Sequence, residues 1–403
     1  MRPTTGRVLA TALALLLAAF VSVTGCSKKE VITFGVVLPL TGESAIYGTP
    51  IRNGIELALQ QIEAKKDAPP IKLDIRDSQS DPQRAQQLTE ELYNEGERAV
   101  VGGVTTPEAM AMVEAADRAS RVLVSPSASA AALTGISRNF FRVWPSDARE
   151  GAKMGQYAAQ NLNLQTAVII TADSTYAEGI QHVFREAFEQ NGGKVLETIE
   201  YPRNTADVEA LVERAVSLTP DCIYVADYAD GIVKLIKLLK AADYKGKILT
   251  VAAFATPQAI SAAGRDAEGV FVTHPQFSEA SDDPEVKAFV EAYRKTYGES
   301  PGLYAAHGYD AMMVLYNAVL EGGDSGSNFW KGIRGITTLK GVTGPLQFDD
   351  KGDVQKWPRV YFLVDGALVD HSDWVDEQKE KLRERMDQLR RERRALQRSQ
   401  NGG

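Results

Sequence analysis

Two hydroxyl-rich turns are the first places along this chain where residue types and spacing suggest chemistry. Gly102-Gly103-Val104-Thr105-Thr106-Pro107-Glu108 leaves an apolar run and enters a helical pattern at Pro107, a natural first helical residue. A helix start offers unpaired N–H groups and positive partial charge, and flanking hydroxyls donate as well. Such a turn can hold a carboxylate without an arginine. Thr105-x-x-Glu108 equally fits a capping box, in which the threonine serves only its own helix. Val122-Leu123-Val124-Ser125-Pro126-Ser127-Ala128-Ser129 repeats the pattern. Turns from neighbouring parallel strands converge on one crevice, because ligands of doubly wound sheets bind outside the carboxyl ends of the strands.

Catalytic chemistry finds little support. No HExxH, phosphate-loop or dinucleotide fingerprint occurs. Gly323-Asp324-Ser325-Gly326 copies the nucleophile motif of chymotrypsin-like proteases, and His307 lies only 18 residues before Ser325 in surroundings that are not all-β. The Gly/Ser run reads as a surface loop between helices. His182, His274, His307 and His371 show no ligand spacing, so no metal is expected, nor a cofactor, and the chain does not read as an enzyme. Cys222 lies in the apolar run Cys222-Ile223-Tyr224-Val225 and reads as a buried, inert thiol.

These turns must be positioned by a large body. The chain has 403 residues, 44% of them hydrophobic and 24% charged, which excludes wholesale disorder and suggests two or three domains. A net charge of −8 argues against nucleic acid as a partner. Short apolar runs at 31–39, 71–76, 99–103, 122–126, 166–171, 194–201, 222–227, 247–254 and 269–274 read as strands, most of them separated by segments of helical period. Ile51, Ile55, Leu59 and Ile62 form one apolar helix face. Asp81-Pro82 and Thr175-x-x-Glu178 read as helix starts. Strand–helix alternation predicts an α/β protein with parallel sheets covered on both faces.

The two ends read differently from the body. Arg2 and Arg7 precede an uncharged Leu/Ala-rich stretch, Val8 to Val23, which is short for a membrane span and suits an export signal. It ends in Val23-Thr24-Gly25-Cys26, which resembles the lipobox of bacterial lipoproteins. That resemblance implies removal of residues 1–25 and a lipid on Cys26, leaving an exported, membrane-anchored lipoprotein that faces the periplasm or cell exterior. At the other end, residues 375–398 hold nine basic and six acidic side chains. Val375, Leu382, Leu389 and Leu396 fall seven apart, half of a coiled-coil seam. Glu377–Lys381 and Asp387–Arg391 are favourable i,i+4 pairs. Residues 375–403 therefore read as a charged helical tail, either solvated on its own or offered to a partner.

Taken in order, several motifs resemble the periplasmic leucine/isoleucine/valine-binding protein family. They are Pro39-Leu40-Thr41-Gly42, Tyr47-Gly48, Asn53-Gly54-Ile55-Glu56-Leu57-Ala58, Asp81-Pro82, Ser125-Pro126-Ser127-Ala128 and Phe141-Arg142-Val143-Trp144-Pro145-Ser146-Asp147. Tyr176-Ala177-Glu178-Gly179, Ala267-Glu268-Gly269-Val270 and Tyr304-Ala305-Ala306-His307-Gly308-Tyr309-Asp310-Ala311 follow. The resemblance implies two doubly wound parallel-sheet lobes joined by a three-crossing hinge, with 31–144 and 277–346 in the N-terminal lobe and 147–274 and 347–371 in the C-terminal lobe. It also implies a ligand held between them. The carboxylate-binding positions fall on Thr106 with Thr105 beside it, and on Ser127 and Ser129. Tyrosines facing the ligand ammonium fall on Tyr176 and Tyr228, and side-chain contacts on Tyr47 and Tyr304. In one place the chain departs from the family. The amino-acid binders carry an acid after the strand that here reads Ile248-Leu249-Thr250-Val251-Ala252-Ala253-Phe254. A buried ammonium without a countercharge is costly, so reduced affinity for branched-chain amino acids is expected. Asp227 and Asp230, flanking Tyr228, are candidate replacements; otherwise the ligand lacks the amine and is a carboxylate, an amide or an aromatic acid.

The resemblance implies a solute receptor working with an ABC permease. The alternative expectation is an interaction module of the same fold, a cell-wall synthase activator or a sensor, with a vestigial cleft and the charged tail as its docking element. Ser27 after the lipidated cysteine fits outer-membrane sorting.

Overall fold

A computed structural model describes residues 31–203, 205, 208–322 and 328–400. The export segment, Cys26, Ser27 and the Gly323–Gly326 motif lie outside the described residues.

The first sheet is built by β1 (Ile32–Leu38), α1 (Ala45–Glu63), β2 (Ile71–Asp77), α2 (Pro82–Glu95), β3 (Ala99–Gly102), α3 (Thr106–Ala119), β4 (Val122–Ser125) and β5 (Phe140–Arg142). Its order is β2-β1-β3-β4-β5, all parallel. The chain then passes into α4 (Asp147–Gln160), β6 (Thr166–Ala172), α5 (Thr175–Gln190), β7 (Lys194–Tyr201), α6 (Glu209–Ser217), β8 (Cys222–Ala226), α7 (Ala229–Ala241), β9 (Lys247–Thr250), α8 (Pro257–Ala263) and β10 (Phe271–His274). It returns to the first sheet as α9 (Pro284–Tyr297), α10 (Gly302–Leu320) and α11 (Phe329–Gly335), makes the short pair β11 (Lys340–Gly341) and β12 (Gly344–Pro345), and rejoins the second as β13 (Arg359–Val364) and β14 (Ala367–Asp370). The second sheet runs β14-β13-β10-β9-β8-β6-β7. The result is an α/β architecture of two doubly wound lobes crossed three times by the chain.

All nine expected strand segments are strands. The segment expected at 247–254 stops at Thr250, because the Ala252 N–H turns away from the ladder to Glu150 Oε1 at 2.9 Å. Composition had not flagged the antiparallel edge β13–β14, although Asp365-Gly366 between two apolar runs is a hairpin signal. Both turn residues adopt positive φ, 51° and 76°. Helix starts follow local chemistry. Asp81 accepts from the N–H groups of Gln83 and Arg84, with Pro82 as first helical residue. At α5 the cap is Ser174 rather than the expected Thr175; its extended backbone aims the hydroxyl at the Ala177 N–H.

One feature fixes the first lobe internally and another fixes the crossings between the lobes. α1 and α10 pack backbone to backbone: a Cβ on Gly54 would fall 2.0 Å from the Ala305 carbonyl, and one on Gly308 2.2 Å from that of Ile51. The first and third crossings are strapped by buried charges. Arg142 donates to Asp353 at 2.6 and 3.0 Å, and Lys356 Nζ donates to the Val143 carbonyl at 3.1 Å and to Thr343 Oγ1.

α12 (His371–Gln400) closes the described chain. Its base is anchored by Tyr157 Oη against His371 Nδ1 at 2.7 Å and by Trp374 on Phe362. Beyond that it is solvated, with Leu382, Met386 and Leu389 exposed. Lys381 pairs with Glu377 as expected, whereas Asp387 pairs with Arg390, one residue nearer than the expected Arg391. Cys222 is fully buried, and burial raises its thiol pKa.

Candidate functional site

Sheet order decides where a crevice opens. In the first sheet the chain goes from β1 outward to β2 and returns on the other side to β3; in the second it goes from β6 to β7 and returns to β8. Loops leaving the two switch-point strands therefore diverge and leave a gap at the carboxyl ends. Tyr47 follows β1 and Thr105–Thr106 follow β3; Tyr176 follows β6 and Tyr228 follows β8. Ser127, Ala128 and Ser129 come from the turn after β4, Ala252 and Ala253 from the turn after β9, and Trp144 from the first crossing. These residues, with Val104 and Tyr304, line one cavity between the sheets. All eight residues expected to contact ligand are on its wall. About 30 Å³ of it is open to the centres of water molecules. For a round cavity, adding the water radius gives an envelope of roughly 150 Å³, the space of about five waters.

The aromatic residues form a box. Tyr47 lies 4.8 Å from Tyr304 and 6.3 Å from Tyr228, Tyr176 is 5.1 Å from Tyr228, and Trp144 is 5.1 Å from Tyr304. Tyr47 also spans the gap: its hydroxyl accepts from the Ala229 N–H at 2.9 Å and donates to the Ala253 carbonyl at 3.3 Å. Arg203, over the Tyr228 ring at 4.5 Å, reaches Glu43 on the opposite side at 3.0 Å. The cleft is thus closed, with polar ties from lobe to lobe.

The hydroxyl turns divide their labour. Thr105 forms the capping box: its Oγ1 accepts from the Glu108 N–H, and the Glu108 carboxylate accepts from the Thr105 N–H at 3.3 Å. Its hydroxyl is occupied within α3. Ser127 donates to the Val104 carbonyl at 2.8 Å, leaving its backbone for other contacts. Thr106, the first residue of α3, keeps its place on the wall. Gly103 makes the tight entry with φ of +68°; a Cβ there would meet Ala109 Cα at 2.7 Å.

Charge in the site differs from expectation. Asp227 is buried and occupied: Oδ1 accepts from the Tyr228 N–H at 2.7 Å, and Oδ2 accepts from Tyr201 Oη. Burial pushes its pKa up to about 6. Asp230 pairs with Arg203 at 3.1 Å on the outside. Neither lines the cavity, so neither replaces an ammonium-binding acid there. Two other acids stand directly behind the wall. Asp147 and Glu150, in the first turn of α4, are 0% and 1% exposed. Glu150 Oε1 accepts from the Ala252 N–H at 2.9 Å and from the Thr273 hydroxyl at 3.4 Å. Glu150 Oε2 and both carboxylate oxygens of Asp147 make no well-formed hydrogen bond; the Ser129 hydroxyl and the Trp144 indole are the polar groups nearest to Asp147 and Glu150 respectively. Burial holds the pKa of both well above the carboxylate range. The two charges oppose one another, and the Ser129 hydroxyl and Arg142 pull Asp147 part of the way back. Sequence reasoning passed over the pair because acids in a first helical turn ordinarily serve the helix dipole; their i,i+3 spacing, placing both on one face, was the available signal.

Residues 31–363 match the family model described as Periplasmic binding protein. The chain is 24% identical over 333 residues to the leucine-, isoleucine-, valine-, threonine- and alanine-binding protein of Pseudomonas aeruginosa, covering 81% of this chain and 88% of that one. Among solved structures, the leucine binding protein LivK of Thermotoga maritima superposes with a TM-score of 0.79 at 26% identity, covering 84% of this chain and 97% of that one. An ABC transporter solute binding protein of R. palustris in complex with benzoate gives 0.77 at 25%, covering 85% and 96%. No helix among the described residues is long and apolar enough to cross a membrane. The chain belongs to the periplasmic binding protein family and is an extracytoplasmic solute-binding protein rather than an enzyme.

Proposed function

We propose that this protein is a lipid-anchored receptor, tethered through Cys26, that captures one small solute between its lobes and delivers it to an ABC importer. The observation that carries this reading is the cavity itself: one solute-sized space, walled from both sheets at their switch points by aromatic faces and by the helix start at Thr106. The solute is amino acid-like, or a small carboxylate or amide. Its anionic or carbonyl end meets Thr106 and the Ser127–Ser129 turn, and its body lies among Tyr47, Tyr176, Tyr228 and Tyr304. The lobes divide at 31–144 with 277–346 against 147–274 with 347–371, and closure over the solute is the signal that the permease reads. Relatives named for branched-chain amino acids and for benzoate support this range of chemistry.

The test is to identify what co-purifies, by denaturing the protein and analysing released small molecules by mass spectrometry, then to measure the shift in unfolding temperature with that compound. A stoichiometric metabolite that restores stability is the expected result. A protein that releases nothing, and that no compound in a broad metabolite set stabilises, overturns it. That second outcome would favour an interaction module docking through α12, whose Leu382, Met386 and Leu389 are exposed.

A further inference from the structure

We propose that α12 docks on an anionic phospholipid bilayer, laying an exposed apolar stripe and the cations beside it against the lipid headgroups. The inference stands on α12 alone and does not depend on which solute the cleft takes.

The helix leaves the body soon after its base. His371 and Trp374 are packed, but all sixteen residues from Lys379 to Arg394 are exposed. That stretch is roughly 24 Å long. Of the eight large apolar side chains exposed among the described residues, three lie on it: Leu382, Met386 and Leu389. Their i, i+4, i+7 spacing sets them on one stripe.

Charge is sorted about that stripe. Over 376–394, the half of the helix centred on it carries five cations, Lys379, Arg383, Arg385, Arg390 and Arg393, and one acid, Glu392. The opposite half carries five acids and three cations. Helix stability does not ask for this sorting, since i,i+3 and i,i+4 pairs form on any face. Lys379 pairs with Asp376 at 2.9 Å and Arg390 with Asp387 at 3.2 Å, and such exposed pairs are weak. Arg383 and Arg393 have no acidic partner among the described residues.

A basic amphipathic helix of this kind fits a lipid surface, where phosphates meet the cations and the apolar side chains reach the acyl boundary. The stripe is narrow, with Arg385 on one side and Lys379, Arg383 and Arg390 on the other. That suits a flat, laterally mobile array of phosphates better than a shaped groove. A second copy fits worse: two helices paired along the stripe set its cations against the same cations, while the acids that would neutralise them face away. Three apolar side chains make the contact weak by itself. For the tethered receptor proposed above, weak is sufficient, because the tether holds α12 near the surface and a second foothold then sets how the cleft faces the permease.

The experiment uses protein expressed from Ser27 onward, which keeps every described residue and omits the anchor. It is sedimented with sucrose-loaded vesicles of phosphatidylcholine, alone or with about one-third phosphatidylglycerol. The anionic vesicles bind at least about tenfold more tightly at low salt, and raising the salt from about 0.05 M to about 0.5 M removes most of that advantage. Ending the chain after Trp374 abolishes it. Exchanging charges within the helix (Arg383→Glu, Glu384→Arg, Asp387→Arg and Arg390→Asp) keeps composition and net charge but moves two cations to the far face, and lowers binding at least about fivefold. Equal binding to both vesicles, binding that survives salt, binding kept by the shortened chain, or binding unchanged by the exchange each overturns the inference. No vesicle binding overturns it too: a dimer that the truncation dissolves then assigns the stripe to a second copy, and a monomer leaves it to a protein partner. The lipid and salt comparisons need no variant, so a folding defect does not shelter the proposal, and every failure leaves the solute receptor standing.

Discussion

Glu150→Gln makes a prediction about the protein with no solute bound. Folded, Glu150 holds its proton more tightly than it does unfolded, because it is buried and stands beside Asp147. Between the ordinary carboxyl value of 4.5 and the raised folded value, the folded chain binds more protons than the unfolded one. Stability therefore falls as pH rises through that window, and the penalty is absent below it. Glutamine keeps the side-chain oxygen that accepts from Ala252 and removes the charge. An unpaired buried carboxylate costs about 1–3 kcal/mol or more, so the variant should gain roughly 2 kcal/mol over the parent at pH 8 and little at pH 4.5. Circular dichroism during thermal or urea unfolding of stripped protein measures this. The comparison cancels the shifted acids remote from Glu150: Glu97, Glu108, Asp227 and Asp310 slope the same way, and Asp77, Asp221, Asp282 and Asp283 the opposite way. Asp147 stands against Glu150 and does not cancel; relieved of the neighbouring charge, it adds to the variant's gain. A variant less stable than the parent at pH 8, or a gap that does not widen with pH, would refute the reasoning.

Tyr47→Phe removes an acceptor for the Ala229 N–H and a donor to Ala253, so solute affinity should drop about tenfold, from roughly 1–2 kcal/mol of lost closure; calorimetry would show it, and X-ray scattering with saturating solute would show a more open average shape. Asp353→Ala strands the enclosed Arg142 and should cost about 3–5 kcal/mol, read as a fall in urea midpoint. Ending the chain after Trp374 should leave the unfolding free energy within about 0.5 kcal/mol of the parent while lowering helical ellipticity, since most of the tail beyond it is solvent-exposed. Cys222 should resist maleimide in the folded protein and react fully in denaturant, because it is enclosed and held as the thiol.

Much of the fold could be read in advance because its signals are short-range. Apolar runs of five to nine residues marked nine strands, and Asp81-Pro82 marked a helix start that the structure reproduces. Ser174 took the cap assigned to Thr175 because capping depends on which backbone turns extended first, a difference of one residue that pattern does not resolve. β5 and β11–β12 have three residues or fewer each, too short for any period to show. For the site, motif order brought eight wall residues together, but not the roles of their hydroxyls. Thr105 and Ser127 turned inward to Glu108 and Val104, and Asp227 to Tyr201.

Alternation of strand and helix, the hydroxyl turns and the charged terminal helix are written in residues close together, where local sterics and periodicity act without reference to the rest of the molecule. Charge behind the cavity wall is another matter. Glu150 and Ala252 are about a hundred residues apart, and the carboxylate meets the Ala252 N–H only because α4 and the turn after β9 pack against each other. Whether an acid is a helix-dipole ornament or an enclosed, unpaired charge depends on what surrounds it. That surrounding is assembled by long-range packing of both sheets, which no stretch of neighbouring residues encodes.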